Sequence, residues 1–235
     1  LNIKQLQQLK DLITLDTGLI SDNHFGHPKV FNIFEPIRKA YTESEGLSTL
    51  EDFENLMIRN WNGAKCDTLL HLGDFCINKR KKGQTEINIK NASDRLNSKD
   101  ILIRGNHDSA DTSVYLENGW GFVIEQPVIL IDGELGVMSG TPQFANCIII
   151  DINDYRIMFS HFGLFQDDPR SETKYKEAYD FLKNLYKEFH CDINIHGHSH
   201  SEGVNSKISF NCSVEAINFS PIRLKNILEK ERSNG

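Results

Sequence analysis

The chain has no apolar run approaching the ~20 residues needed to cross a bilayer. Its first ten residues, LNIKQLQQLK, lack a charged segment followed by an apolar one, so neither a membrane span nor a secretory leader is expected in it. Positive charge is in short supply. Lys and Arg number 26 against 33 Asp and Glu, for a net charge of −7. That balance argues against a protein that coats nucleic acid through its phosphates, and no stable DNA partner is expected, although a local basic patch fits. Cysteines are few and scattered: Cys66, Cys76, Cys147, Cys191 and Cys212 are odd in number and form no CxxC pair. They read as reduced thiols of a cytoplasmic protein, neither a disulfide framework nor a zinc ribbon. Repeats, low-complexity stretches and an obvious linker are also missing. Residues 1–235 are therefore expected to form one domain.

What is there suffices for a sizeable core: 39% of the residues are hydrophobic and 25% charged, well outside the composition of a disordered chain. Leu6, Leu9, Leu12 and Ile13 fall at helical spacing and predict an amphipathic N-terminal helix. Thr14 to Ile20 reads as a strand broken at SDNHFGHP, followed by a helical segment that Pro36 interrupts. Leu50 to Trp61 predicts a helix with Phe53, Leu56, Met57 and Trp61 on one face. Thr68–Leu72 and Asp100–Arg104 predict buried strands, with a helix between them over Gln84–Leu96. This alternation predicts an α/β fold with parallel strands and crossover helices. Residues 120 to 160 are β-rich, with strands expected at Phe122–Ile124, Val128–Ile131, Ile148–Ile150 and Arg156–Phe159. A helix over Glu172–Phe189, strands at Ile193–Ile195 and Ile208–Phe210, and a helix from Pro221 complete the pattern.

Five polar clusters each follow a short apolar strand: Asp22-Asn23-His24, Gly73-Asp74, Gly105-Asn106-His107-Asp108, His161, and Gly197-His198-Ser199-His200. Loops after successive parallel strands gather at one sheet edge, where open α/β sheets place ligands. Asp22, His24, Asp74, Asn106, His161, His198 and His200 offer oxygen and imidazole donors and no thiolate. Seven ligands exceed one ordinary site but suit two cations sharing a carboxylate, about 3.5–4 Å apart, the device used for in-line displacement at phosphorus. Mixed N/O donors favour manganese, iron, zinc or nickel over calcium. In D-x-H and H-x-H, residues i and i+2 of an extended segment face the same way.

In this order the clusters resemble the calcineurin-like metallophosphoesterase superfamily. SDNHFGH, WNGAKCDTLLHLGDF, IRGNHD and NCSVEAINFSPI are similar to a branch of small bacterial and phage phosphoesterases within it. The resemblance runs from Ser21 to about Ile222. It implies a two-sheet β-sandwich flanked by helices. It also implies that Asp22, His24 and His200 hold one divalent ion, that Asn106, His161 and His198 hold a second, and that Asp74 bridges both. Manganese is the first choice, with iron, zinc or nickel as alternatives. A bridging hydroxide would attack phosphorus in line, and His107 would protonate the leaving oxygen or bind the phosphoryl group. Two divalent ions outweigh two carboxylates and a hydroxide, so the pocket would favour a phosphoester anion. The Asp-Arg continuation found in protein Ser/Thr phosphatases is absent, because this chain reads GDFCINK. Protein phosphatase activity is therefore not expected. The partner that orients His107 is not evident, with Asp108 as a candidate.

Single residues carry competing readings. A lone His161 would ordinarily be structural, and its company makes it a ligand. His196 reads as packing beside the site, and His71 as buried and hydrogen-bonded. His27 reads equally as a contact to the substrate phosphate or as a loop residue. Trp61 reads as core. Lys79-Arg80-Lys81-Lys82 reads as a solvated loop or as a phosphate clamp with Arg80 on the substrate. Asn106 and His107 are the other substrate contacts expected. The functional expectation is a phosphodiesterase on small nucleotide-type esters, down to short oligonucleotides. The alternatives are a phosphomonoesterase and, since no ligand position is lost, less readily a non-catalytic scaffold.

Overall fold

The computed structural model describes residues 1–77, 83–165, 173–202 and 205–233, with side chains given except at 33, 34 and 230–233. Helix α1 spans Ile3–Leu12, opened by a capping box in which the Asn2 side chain accepts from the Gln5 N–H and Gln5 returns the bond. Residues 14–17 form a turn closed by Thr17 N–H on the Thr14 carbonyl, so strand β1 is only Gly18–Ile20, shorter than the expected Thr14–Ile20. A π-helical turn, Val30–Phe34, precedes helix α2, Pro36–Ser44. Pro36 opens α2 instead of interrupting it, since the first helical position needs no N–H donor. Helix α3, Leu50–Asn62, starts at a Thr49/Asp52 capping box.

Strand β2 (Leu69–His71), helix α4 (Gln84–Ser93), strand β3 (Ile101–Ile103), helix α5 (Ser113–Glu117) and strand β4 (Phe122–Ile124) follow. Then come β5 (Val128–Ile131), β6 (Glu134–Val137), β7 (Cys147–Ile152), β8 (Tyr155–Ser160), helix α6 (Lys176–Glu188) and β9 (Ile193–His196). The chain closes with β10 (Ser209–Asn211), β11 (Ile222–Arg223) and helix α7 (Leu224–Ser233). Two sheets result. The first has the order β11-β1-β2-β3-β4, the second β10-β9-β8-β7-β5-β6. Strands β1 to β4 pair in parallel, and β11 is an antiparallel edge. The second sheet is mixed.

The aliphatic runs are explained by burial on both faces of the second sheet. Ile148 and Ile150, with Val128, Leu130, Ile157, Phe159, Ile193 and Ile195, join the core shared with the first sheet. Ile149, Ile129 and Met158 point the other way and pack with Tyr179, Leu182 and Leu185 of α6. Phe53, Leu56, Met57 and Trp61 of α3 join the first core. This is a two-sheet sandwich flanked by helices. Among the described residues, no helix is long and apolar enough to cross a membrane.

Candidate metal centre

The C-terminal ends of β1, β2, β3, β8 and β9 deliver the five polar clusters to one rim. Main-chain bonds stitch the loops together. Asp22 N–H donates to the Gly73 carbonyl, His24 N–H to Asp74, and Gly197 N–H to His161. The turns are tight enough that Asp22, His24, Asp74, His198 and His200 all adopt positive φ, between 46° and 67°. Non-glycine residues enter this region rarely and at a cost, and such residues cluster at functional sites. Two glycines make the approach possible. A Cβ at Gly197 would lie 1.9 Å from Ser21 Oγ, and one at Gly105 would lie 2.3 Å from Asp74 Oδ1.

Each carboxylate has one tethered oxygen and one turned inward. Asp22 Oδ2 accepts from His198 N–H (2.8 Å) and Ser213 Oγ (3.0 Å). Its Oδ1 has no hydrogen-bond partner and lies 3.8 Å from His24 Nε2 and 3.9 Å from His200 Nε2. Asp74 Oδ1 accepts the His107 N–H at 2.8 Å. Its Oδ2 sits 3.6 Å from His24 Nε2, 3.4 Å from His161 Nε2 and 4.0 Å from His107 Nε2. Both ring nitrogens of His24 are buried without partners. His161 Nδ1 bonds the Leu72 carbonyl at 2.8 Å, which fixes its proton there and turns Nε2 toward Asn106 Oδ1 at 3.0 Å. Two acceptors at that separation need a proton or a cation between them.

The buried Asp22 Oδ1 and His24 ring, which lack hydrogen-bond partners, fit divalent cations. Asp22, His24 and His200 can converge on one ion, and Asp74, His161 and His198 on another. Burial opposes charge at His161, but Asp74 outweighs it and raises the imidazole to about 9. Burial likewise opposes ionisation of Asp74, yet His161, His107 and His24 hold it well below the usual carboxylate range. Burial drives His24 strongly down, leaving it a neutral donor.

Asp108 does not orient His107 through any described bond. Its Oδ2 accepts from the Asp74 and Gly105 N–H groups, and its Oδ1 from Phe75 N–H and the Tyr115 hydroxyl. It ties the two loops together, and burial and then the charge of Asp74 raise it to about 6. His71 is buried, stacks on Trp61, accepts from the Gly73 N–H and meets Asn23 Oδ1. His196 bonds the Gly197 carbonyl and Ser209, away from the cation donors. Trp61 is core, its indole N–H on the Ser98 carbonyl. His27 stands half-buried at the rim, 6.0 Å from the His24 ring, accepting the Val30 N–H. Arg80 and the rest of the Lys79–Lys82 run lie outside the described residues.

Three residues escaped the sequence reading. Arg38, buried on α2, donates to Glu215 and to the Asp22 and Asn23 carbonyls. Glu215 in turn accepts from His200 Nδ1 at 3.1 Å. Burial opposes ionisation of Glu215, but Arg38 and His200 outweigh it and hold the carboxyl at about 2. Glu35 stands 3.7 Å from the same Nδ1. Glu35, His200 and Glu215 could also group around an ion. With the proton on Nδ1, however, only Nε2 is left to bind, and it faces Asp22 Oδ1 at 3.9 Å. One signal was available: Glu215 is the sole charged residue between Ile208 and Ile222.

A protein of unknown function from Aquifex aeolicus, AQ665, has a similar fold, with TM-score 0.61 and 24% identity over 91% of this chain and 98% of that one. A novel archaeal phosphodiesterase aligns with TM-score 0.37 and 17% identity, covering 83% of this chain and 81% of that one. A conserved uncharacterised protein from Streptococcus pneumoniae aligns with TM-score 0.31 and 14% identity, covering 83% and 70%. These last two likenesses are too loose to bear on function. No curated protein matches the chain. The description "calcineurin-like phosphoesterase" matches residues 16–202, a span that holds every one of the clustered Asp, Asn and His donors, and the chain belongs to that dimetal-dependent family.

Proposed function

We propose that this protein is a phosphodiesterase acting on small nucleotide-type esters, with Asp74 shared between two divalent cations. The observation that carries the reading is Asp74 Oδ2, placed 3.6 Å from His24 Nε2 and 3.4 Å from His161 Nε2 while its partner oxygen is tied to the His107 N–H. Asp22, His24 and His200 would hold one ion, and Asn106, His161 and His198 the other. Manganese suits the donor set best, with iron, zinc or nickel also compatible. When bound, such a pair supplies positive charge for the phosphoryl oxygens and an activated water at neutral pH.

The chain's own residues do the rest. His107, partly exposed at the rim, holds the proton that passes to the leaving oxygen as water adds to phosphorus and one P–O ester bond breaks. Asp108 and Gly105 keep the loop that carries it against Asp74. Five free cysteines suit a cytoplasmic setting, and a small phosphoester is the expected partner.

The test is turnover of bis-p-nitrophenyl phosphate and p-nitrophenyl phosphate in parallel with Mn²⁺, Ni²⁺, Zn²⁺ and Mg²⁺. Faster metal-dependent turnover of the diester is expected, lost in Asn106→Ala. A reversed ratio would make the protein a monoesterase, and no turnover of either ester would point to a scaffold.

A further inference from the structure

Beside His107 a cleft of about 270 Å³ opens at the end of β3, bounded by Arg104, Asn106, His107, Glu86, Gln143 and Phe144 among others. We propose that this cleft is a subsite for the leaving half of the substrate, and that it takes a nucleoside bearing its own phosphate, with Arg104 on that phosphate and Phe144 against the base. The inference rests on the phosphodiesterase reading and adds a substrate class to it.

Arg104 carries the argument furthest. Its main chain is fixed on both sides, N–H to the Ile124 carbonyl and carbonyl to the Asn146 amide. Its Nε is buried and has no hydrogen-bond partner among the described residues. A guanidinium is always charged and presents five donors in a plane that matches a phosphate. Nε itself is sealed from solvent, but Arg104 is only half-buried and lines the cleft. An oxyanion there would meet the outer N–H groups of the guanidinium and offset the cost of its unpaired inner donor.

Asp108, a carboxylate in the cleft wall, makes no described hydrogen bond to Arg104. Asp108 has both oxygens engaged by Asp74, Gly105, Phe75 and Tyr115. Glu86, exposed in the first turn of α4, is the counter-charge on the rim. It suits the cleft to a single anion and disfavours a polyphosphate.

Phe144 supplies the second half of the recognition. It is half-buried and holds φ at 69°, a region that a bulky residue enters only when its surroundings impose it. Tyr175 braces its ring edge-on at 5.7 Å, and Tyr175 in turn lies 6.1 Å from the His198 ring. A braced aromatic beside a guanidinium is the arrangement on which bases stack. The volume admits one ring-bearing fragment and no duplex. His107 at the mouth places the leaving oxygen at the cleft entrance.

The experiment compares the dinucleotide TpT with pTpT and TpTp, with Mn²⁺ present, and reads products to identify the leaving half. The substrate whose leaving half carries the extra phosphate should show a kcat/KM at least ten-fold above TpT. Arg104→Ala should bring that ratio close to one, and Arg104→Lys should keep part of it; a ratio taken within each preparation is insensitive to how much protein folds. Phe144→Leu should lower the preference for TpT over the same dinucleotide with an abasic leaving sugar. A wild-type ratio near one, or a ratio unchanged in Arg104→Ala, overturns the subsite. So does a protein that hydrolyses bis-p-nitrophenyl phosphate but none of the dinucleotides. Absence of metal-dependent turnover of bis-p-nitrophenyl phosphate overturns the parent reading instead.

Discussion

His200 turns its Nδ1 to Glu215 at 3.1 Å and its Nε2 toward Asp22, 3.9 Å away. The carboxylate fixes the tautomer, and the Arg38 guanidinium fixes the carboxylate. A carboxylate behind a ligating imidazole raises its basicity and holds the ring in place. Glu215→Gln should weaken binding of the cation held with Asp22 and His24 by about 10- to 100-fold, read by calorimetric titration of Mn²⁺ into chelator-stripped protein. Glu215→Ala should also destabilise the fold by about 3–5 kcal/mol, because Arg38 is then left charged and buried. Unaltered metal affinity in Glu215→Gln would show that the pair only packs.

Removing metal should cost stability. Asp22 Oδ1 and both His24 nitrogens are buried with no hydrogen-bond partner, so in the metal-free chain these polar atoms gain nothing for the water they have lost. Mn²⁺ at about 100 times its Kd stabilises by about 2.7 kcal/mol. For a chain of this size that raises Tm by about 5–10 °C. Thermal melts with Mn²⁺ and with EDTA should differ by this amount, and Asp74→Asn should shrink the difference. Coincident melts would mean that the cluster does not bind the ion.

The five strand-then-polar clusters were legible because each pairs a local apolar run with donor residues at its end, and the chain need only fold in parallel to gather them. Arg38 and Glu215 were not legible, because they lie 177 residues apart and meet only through tertiary packing. An arginine on an amphipathic helix ordinarily reads as solvent-facing, yet Arg38 is 1% exposed. Strands β6 and β11 escaped for a related reason. Glu134-Leu135-Gly136-Val137 and Ile222-Arg223 are short edge segments whose pairing comes from their neighbours β5 and β1. The Thr14–Thr17 turn looked like strand because its β-branched residues serve equally in a turn whose N–H groups their hydroxyls accept.

His107 lies 4.0 Å from Asp74 Oδ2 and a third of its side chain is exposed, a position from which it can reach a leaving oxygen without being needed to hold a cation. His107→Ala should lower kcat by about 10²- to 10⁴-fold on a diester with an alkyl leaving group. The loss should be smaller for p-nitrophenolate, which departs without a proton. Metal content by mass spectrometry should match that of the wild type. Equal losses on both esters would assign His107 to binding the phosphoryl group instead of protonating the leaving oxygen.

His71 gives a stability prediction with a definite sign. Burial lowers its pKa from 6.5 to about 3, and protonation would break the bond it accepts from the Gly73 N–H, next to Asp74. The unfolded chain takes up a proton below pH 6.5 and the folded chain does not. The contribution is therefore complete above pH 6.5 and is lost as pH falls toward about 3, at up to about 1.4 kcal/mol per pH unit. Urea denaturation at pH 7, 6 and 5 should show stability falling more steeply in the wild type than in His71→Asn, whatever the difference between them at pH 7. Parallel slopes would mean that His71 is protonated in the folded protein, and with it that the Gly73 N–H is held by some other acceptor.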